Sequence, residues 1–149
     1  MRFADLLKFP ILHRYRDYAP MFLRLLIGSF IIWGVQDNIL STERMVEFEK
    51  FLAARCVPAP NIAAPLSVYA QFICGLSILF GAFIRLTSLL FIINFLAALW
   101  IAHRGQSFVQ MFPALMMVSA GLFFLFHGAG KLSLDDWLTK KSRPAPDPL

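Results

Sequence analysis

Four long runs of apolar residues alternate with short polar segments along the chain. The runs cover residues 20–40, 65–84, 86–102 and 108–126. A helix needs about 20 predominantly apolar residues, with a range of ~17–25, to cross the hydrocarbon core of a bilayer. Each run reaches or approaches that length. The pattern therefore predicts four membrane-spanning helices.

The connections between the runs indicate how these helices are arranged. A turn at residues 81–85 joins the second run to the third, and "HRGQS" joins the third to the fourth. Connections this short join neighbouring antiparallel helices. We therefore expect an all-α membrane protein with a four-helix antiparallel bundle, which occupies residues 20–138.

Shorter amphipathic segments lie outside the four runs. "RFADLLKF" near the N-terminus has the spacing of a helix on the membrane surface and belongs to an interfacial segment, residues 1–19. In the first loop, Ser41 or Thr42 can cap a helix that serves either as a surface anchor or as a functional lid. A third short helix is expected after the fourth run, and residues 139–149 read as a disordered polar tail.

Composition agrees with lipid as the solvent. Apolar residues make up 58% of the chain and charged residues 15%, against about 45–50% and about 25% in soluble domains. The formal net charge is +5, but the basic residues form no tract and no arginine–aromatic pattern for stacking bases. The charge therefore favours an anionic membrane surface over nucleic acid as the partner.

The distribution of basic residues predicts the orientation in the membrane. With four crossings, nine Lys and Arg residues share the side of both chain ends, and four lie on the other side, at Arg44, Lys50, Arg55 and Arg104. Positively charged segments remain in the cytoplasm. Both termini are therefore expected to be cytoplasmic.

Polar residues near the opposite, outer face form a candidate ligand site. When each polar residue is placed by its depth in the membrane, one group lies near the outer ends of the spans: Gln36, Asp37, Gln71, His103 and Gln110. Such a group could bind a polar headgroup above an apolar tail. It could equally be a hydrogen-bonded network that holds the helices together. Asn94, in the middle of the third span, is expected to bond to a neighbouring helix.

The sequence offers no pattern for a metal site. Cys56 and Cys74 form no metal-binding spacing, and His103 and His127 lie at opposite ends of their spans. Hydrocarbon about 30 Å thick separates those two imidazoles. We therefore assign no metal ligands.

The stretch "LFHGAGKLSLDDWL", residues 125–138, marks the end of the fourth span. Glycine ends helices at low cost, and Lys131 complements the helix dipole. Ser133 and Asp136 have the spacing of a helix cap. The stretch predicts a helix end followed by a short surface helix. Arg24, one turn inside the first span, either extends to the interface or belongs to a site.

These features resemble the DoxX family over roughly residues 20–138. "HGAGKLSLDDWL" is similar to the closing motif of that family, "LRLLIG" to its first span, and "GLSILFGAFIRLTSL" to its glycine-rich hairpin. The resemblance implies motif positions on the cytoplasmic side at Arg24, Arg85, Lys131 and Asp135. Arg24 or Arg85 could pair with Asp135 there. Gln71 stands where the family often has a glutamate.

The resemblance also implies a function class. Family members are four-helix proteins of the bacterial inner membrane, and some are linked to quinone-dependent redox complexes such as thiosulfate:quinone oxidoreductase. Three functions remain open: an accessory subunit that binds a soluble or membrane oxidoreductase, a subunit that itself binds quinone, and a small transporter. The sequence identifies no cofactor, although quinone is the candidate under the second function. Whether the chain is an enzyme also stays open.

Overall fold

The computed structural model describes residues 14–141, and this part of the chain contains helices and no strands. After a 3-10 helix at Arg16–Tyr18, the helices are α1 Ala19–Leu40, α2 Thr42–Ala54, α3 Pro60–Phe80, α4 Ile84–Ala102, α5 Phe108–His127 and α6 Leu134–Lys141. The expected N-terminal surface helix and residues 142–149 lie outside the described residues.

Four of these helices, α1, α3, α4 and α5, are long and apolar enough to cross a membrane. Consecutive spans are joined by short turns, except that α2 lies between α1 and α3. The predicted all-α, four-helix membrane fold is confirmed.

The two ends of the bundle contain different segments of the chain. We call the end with α2 and the α4–α5 turn the loop end, and the end with the α3–α4 turn and residues 128–135 the motif end.

The bounds of α3 differ from the predicted run. The helix begins at Pro60 and ends at Phe80, and Pro65 lies inside it. Proline is tolerated at the first helical position because that N–H has no intrahelical partner. Gly81 ends the helix with φ +67, and the Ala82 N–H donates to the Ser77 carbonyl at 2.9 Å. This left-handed glycine cap allows an immediate reversal into α4.

Close crossings between helices depend on small residues. α1 packs mainly on α3, and α4 packs mainly on α5. A Cβ added at Gly28 would lie 2.9 Å from the Gly75 carbonyl oxygen, and one added at Gly121 would lie 2.7 Å from Ile92. The core between the helices includes Phe91 and Phe124, both fully buried. These glycines therefore let the helices approach closely.

The outward faces of the bundle are covered by large apolar side chains. Examples are Leu26, Trp33, Ile73 and Trp100, each more than three-fifths exposed. So large a contiguous apolar surface is unusual on a small domain in water. In a bilayer, the same surface faces lipid.

Helix α2 lies against the loop end, where it contacts α1 and α3. The Ser41 hydroxyl accepts a hydrogen bond from the Arg44 N–H at 3.4 Å, as the sequence predicted for a capping serine. Leu52 is buried against the bundle. The helix is therefore fixed to the spans through one apolar face.

Candidate functional site

The motif end is built from the stretch that follows the fourth span. Helix α5 ends at His127, and the Gly128 N–H donates to the Phe124 carbonyl at 2.9 Å. Helix α6 starts at Leu134, with the Ser133 hydroxyl accepting the Asp136 N–H at 3.1 Å. The predicted helix end and surface helix are confirmed. Residues 128–133 connect the two helices, and the first span lies against them.

Arg24 is the charged group at the centre of this junction. Only 2% of the surface of Arg24 is exposed. One terminal nitrogen, Nη1, donates to the Ala129 carbonyl at 2.8 Å, and the other, Nη2, donates to the Leu132 carbonyl at 2.8 Å. The guanidinium is therefore enclosed by protein. It binds the backbone of the connection between α5 and α6.

Asp135 binds a different part of the bundle. Its carboxylate accepts the backbone N–H groups of Phe83 at 2.7 Å and Ile84 at 2.9 Å. These are among the first N–H groups of α4, which have no partner within the helix. Phe83, the residue before α4, has no side-chain oxygen that could cap it. Asp135 supplies that cap from the C-terminal segment, and its negative charge complements the helix dipole.

The capped turn has a strained backbone. Phe83 adopts φ 48, a left-handed conformation that is unusual for a residue other than glycine. Such a conformation costs on the order of 1–3 kcal/mol and persists where the surrounding structure holds it. The two hydrogen bonds that the carboxylate of Asp135 accepts from the backbone hold this turn.

The structure differs from the sequence on how Arg24 and Asp135 interact. We expected Arg24 or Arg85 to pair directly with Asp135, but the described residues contain no such ion pair. Arg24 and Asp135 attract each other electrostatically, while each bonds to backbone groups. Those backbone groups lie at the start of α4 and in the connection between α5 and α6, where no hydrogen bond within a helix pairs them. Arg85 is exposed.

Two glycines make room for this arrangement. A Cβ at Gly81 would lie 2.6 Å from Nη1 of Arg24 and 2.6 Å from Cβ of Ser133. A Cβ at Gly130, where φ is +71, would lie 2.7 Å from the Asp17 carbonyl oxygen. The Gly81 carbonyl also accepts the Asp135 N–H at 3.0 Å. Gly81 therefore lies between the two charged side chains and contacts both segments.

Lys131 attaches the same connection to the start of the first span. Its N–H donates to the Asp17 carbonyl at 2.9 Å, and its ammonium lies 3.4 Å from the Asp17 carboxylate. The ammonium also lies 5.5 Å from the centre of the Tyr18 ring. Sequence reasoning missed Asp17, whose partner lies more than a hundred residues later in the chain. We call the arrangement of Arg24, Asp135 and Lys131 the motif lock.

An open cavity of about 390 Å³ lies beside the motif lock. Asp17, His127, Lys131, Asp136 and Thr139 contribute to its lining, together with Asp135. The Asp135 carboxylate oxygens already bond to Phe83 and Ile84. The remaining charges of both signs are suited to hydrogen bonds and ion pairs with another macromolecule.

The five residues of the predicted outer site make mainly local contacts. His103 Nδ1 lies 2.7 Å from the Gln106 Oε1, and Gln110 closes a capping box with Ser107 at the start of α5. Gln36 is half-buried and Asp37 is exposed. Between residues 14 and 141, no hydrogen bond joins any two of the five: Gln36, Asp37, Gln71, His103 and Gln110.

Gln71 belongs instead to a short polar chain inside the bundle. Its Nε2 donates to the Ser67 hydroxyl at 3.2 Å, and that hydroxyl donates to the Asn94 Oδ1 at 2.9 Å. The second bond joins α3 to α4, so the expected interhelical role of Asn94 is confirmed. The three side chains are half-buried among apolar neighbours.

Comparison with known proteins gives one match. The sequence model of the DoxX family matches residues 19–104, which is more than half of the chain. The match covers α1 to α4 and ends in the turn before α5. No curated protein and no solved structure matches this sequence.

Proposed function

Because the chain belongs to the DoxX family, as the match over residues 19–104 establishes, we propose that it is an accessory subunit of a membrane-associated redox system. In this proposal, the motif end binds a soluble or membrane oxidoreductase. The partner carries out the electron transfer, and this chain holds it at the bilayer. Family membership and four apolar helices make the chain a multi-pass membrane protein.

The proposal rests on one observation: the charged side chains of the motif bond to backbone groups of the chain itself. Arg24 is buried and bonds to two carbonyls, and Asp135 bonds to two amides. A general acid, a general base or an electrostatic catalyst must reach the reacting atoms. These two charged groups are occupied by backbone partners. They support a role in which the motif shapes a surface for another protein.

The surface next to the motif lock supports a partner that recognises charge. Helix α6 carries Lys140 and Lys141 in its last turn, and both are exposed. Lys140 lies 2.6 Å from Asp136 in an exposed ion pair, and such pairs contribute little to stability. These charges are therefore free to serve recognition, which rim charges at protein interfaces do.

We also propose the location and orientation. The excess of basic residues at the motif end supports a cytoplasmic position for that end, and the family resemblance supports the inner membrane of a bacterium. The oxidoreductase would then dock from the cytoplasm or from within the same membrane. The loop end would face outward.

The test is gentle extraction from the native membrane, followed by native mass spectrometry. We expect a second polypeptide at fixed stoichiometry with the wild-type chain. Joint substitution of Lys140→Glu and Lys141→Glu should remove that polypeptide without changing the melting temperature. Lys50→Glu, an exposed lysine on α2 at the loop end, is the matched control. A chain that always elutes without a polypeptide partner would contradict the proposal.

A second candidate function rests on the polar chain of Gln71, Ser67 and Asn94. These groups lie among apolar residues of α3 and α4, and a quinone headgroup needs hydrogen-bonding partners in such surroundings. In this alternative the chain binds quinone at Gln71 and at the outer residues. A stoichiometric quinone mass, lost in Gln71→Leu or His103→Ala, would favour it over the accessory role.

A further inference from the structure

A second cavity, of about 590 Å³, opens at the loop end. We call it the arginine cavity, because Arg55 and Arg104 both line it, together with Cys56, Pro58 and Trp100. Both arginines contribute to the predicted orientation. Neither belongs to the motif lock or to the predicted outer site.

Arg55 is held in place by the end of the third span. It follows α2, and its Nη1 donates to the carbonyl oxygens of Ile101 at 2.8 Å and Ala102 at 2.7 Å. The last carbonyls of a helix lack intrahelical partners. The hydrogen bonds therefore cap α4 and fix the guanidinium at the cavity wall. The second terminal nitrogen of Arg55 makes no hydrogen bond to the described residues.

Arg104 is held by an aromatic ring. Its guanidinium carbon lies 4.8 Å from the centre of the Trp100 ring. Trp100 is in the last turn of α4 and is 69% exposed. Tryptophan at such a position lies at the level of the lipid headgroups. The stacked guanidinium is therefore held at the depth where lipid phosphates lie.

The cavity has positive charge without a compensating carboxylate. No aspartate or glutamate lines it, and within residues 14–141 neither arginine forms an ion pair. Two guanidinium groups that line one cavity repel each other, and an anion bound between them reduces that repulsion. Arginine is suited to oxyanions because its planar donors match two oxygens of one group.

We propose that the arginine cavity binds a phosphate group at the membrane interface. The volume lies within the range of about 300–1,000 Å³ that is usual for small-molecule sites. The headgroup of an anionic phospholipid would place its phosphate between the two arginines and its chains along the apolar face of α4. A soluble phosphate has the same chemistry, and the experiment separates the two sources. This site is independent of the proposed accessory role.

The first measurement is a titration of delipidated protein with phosphatidylglycerol, followed by native mass spectrometry. Arg104→Gln should weaken binding of the first lipid about tenfold, as expected for the loss of one hydrogen bond to a charged group. Arg104 is exposed, and within residues 14–141 no hydrogen bond joins its side chain to the backbone. Arg44→Gln is the matched control, because Arg44 is exposed at the same end and pairs with Glu47 at 3.0 Å.

Equal affinity in wild type, Arg104→Gln and Arg44→Gln would overturn the proposal. So would equal weakening in both variants, since that indicates general surface charge and no site. Arg55→Lys serves as a second variant that keeps the charge near the α4 carbonyls. It should retain most of the lipid affinity, whereas Arg55→Gln would also remove the cap of α4.

The second measurement uses Cys56, which is exposed and lines the cavity. We would follow its modification by a maleimide in maltoside micelles, which contain no phosphate. Protection by phosphatidylglycerol alone assigns a lipid ligand. Protection also by inorganic phosphate, at about 10-fold excess over that lipid, assigns a soluble ligand. The excess offsets the roughly tenfold affinity that one charge-assisted hydrogen bond contributes. Modification at the same rate in all three conditions would overturn the proposal.

Discussion

The carboxylate of Asp135 caps the helix that begins at Ile84, which lies 51 residues earlier in the chain, through a hydrogen bond of 2.9 Å. Arg24 binds the same C-terminal segment from the opposite side, through the carbonyls of Ala129 and Leu132. The segment is thereby bonded to the first span and to the α3–α4 turn. The charged motif residues thus close one end of the bundle.

Replacement of Asp135 should destabilise the protein. Asp135→Asn keeps one acceptor but turns an amide N–H₂ group toward a backbone N–H, so one bond and the charge are lost. We expect a loss of about 2 kcal/mol in the free energy of unfolding, as for a helix cap that involves a charged group. Thermal unfolding in detergent measures it.

Asp136→Asn is the control for that substitution. Asp136 is the next residue, and within residues 14–141 its side chain makes only the ion pair with Lys140, so the loss of that carboxylate should cost less than about 0.5 kcal/mol. Equal melting temperatures for the two variants would refute the assignment of Asp135 as the cap.

Arg24→Leu should have a larger effect. The substitution leaves the carbonyls of Ala129, which is buried, and of Leu132, which is largely exposed, without donors, and an unpaired buried group costs about 1–3 kcal/mol. We expect a loss of ~3 kcal/mol overall and cleavage by protease within residues 128–141 of the otherwise folded protein. Arg85→Gln, at an exposed arginine of the same end, should leave the protease pattern unchanged. Protection of the segment in Arg24→Leu would show that other contacts hold it.

Two of the glycines with positive φ, Gly81 and Gly105, allow the cost of backbone strain to be measured apart from the cost of a steric clash. Gly105→Ala meets no atom within 4 Å, so only its left-handed backbone opposes it, at about 1 kcal/mol. Gly81→Ala has the same strain and also a Cβ 2.6 Å from Arg24 and Ser133. We expect Gly81→Ala to lose at least about 2 kcal/mol more, because overpacking costs typically 1–3 kcal/mol. Chemical denaturation of both variants, side by side, gives the comparison.

The two cysteines report burial and orientation. Cys56 is exposed and Cys74 is buried in the core, so a maleimide should modify only Cys56 in the folded protein and both thiols after denaturation. In whole cells, a membrane-impermeant maleimide should reach Cys56 if the loop end faces outward. Labelling that occurs only in inverted vesicles would reverse the proposed orientation. Cys56→Ser, which should abolish the signal, is the control.

Hydrophobic pattern and local capping signals predicted the architecture because their causes lie within a few residues. The helix end at His127, the Ser133 cap and the Ser41 cap all depend on neighbours within four positions. The apolar run begins at Pro65, whereas α3 begins earlier, at Pro60. Ala64, in the added turn, is fully buried, so packing supports a helix start that hydropathy alone does not indicate.

The motif lock could not be predicted in detail, because its bonds join residues far apart in sequence. Arg24 bonds to carbonyls 105 and 108 residues away. Opposite charges on Arg24 and Asp135 suggested a pair, but backbone carbonyls and amides carry no residue-specific signal. Only the folded structure shows that these backbone groups lie within hydrogen-bonding distance of Arg24 and Asp135 and lack other partners among the described residues. The ligand role of the outer residues likewise stays a prediction.

The most direct test of the motif lock is hydrogen–deuterium exchange at the amides of Phe83 and Ile84. These N–H groups bond to Asp135 in the folded protein, so they should be protected in wild type and in Asp136→Asn. In Asp135→Asn they should exchange faster, and the amides of residues 129–141 should do so with them. Unchanged protection in Asp135→Asn would contradict the account, since it would mean that the motif carboxylate does not close the bundle.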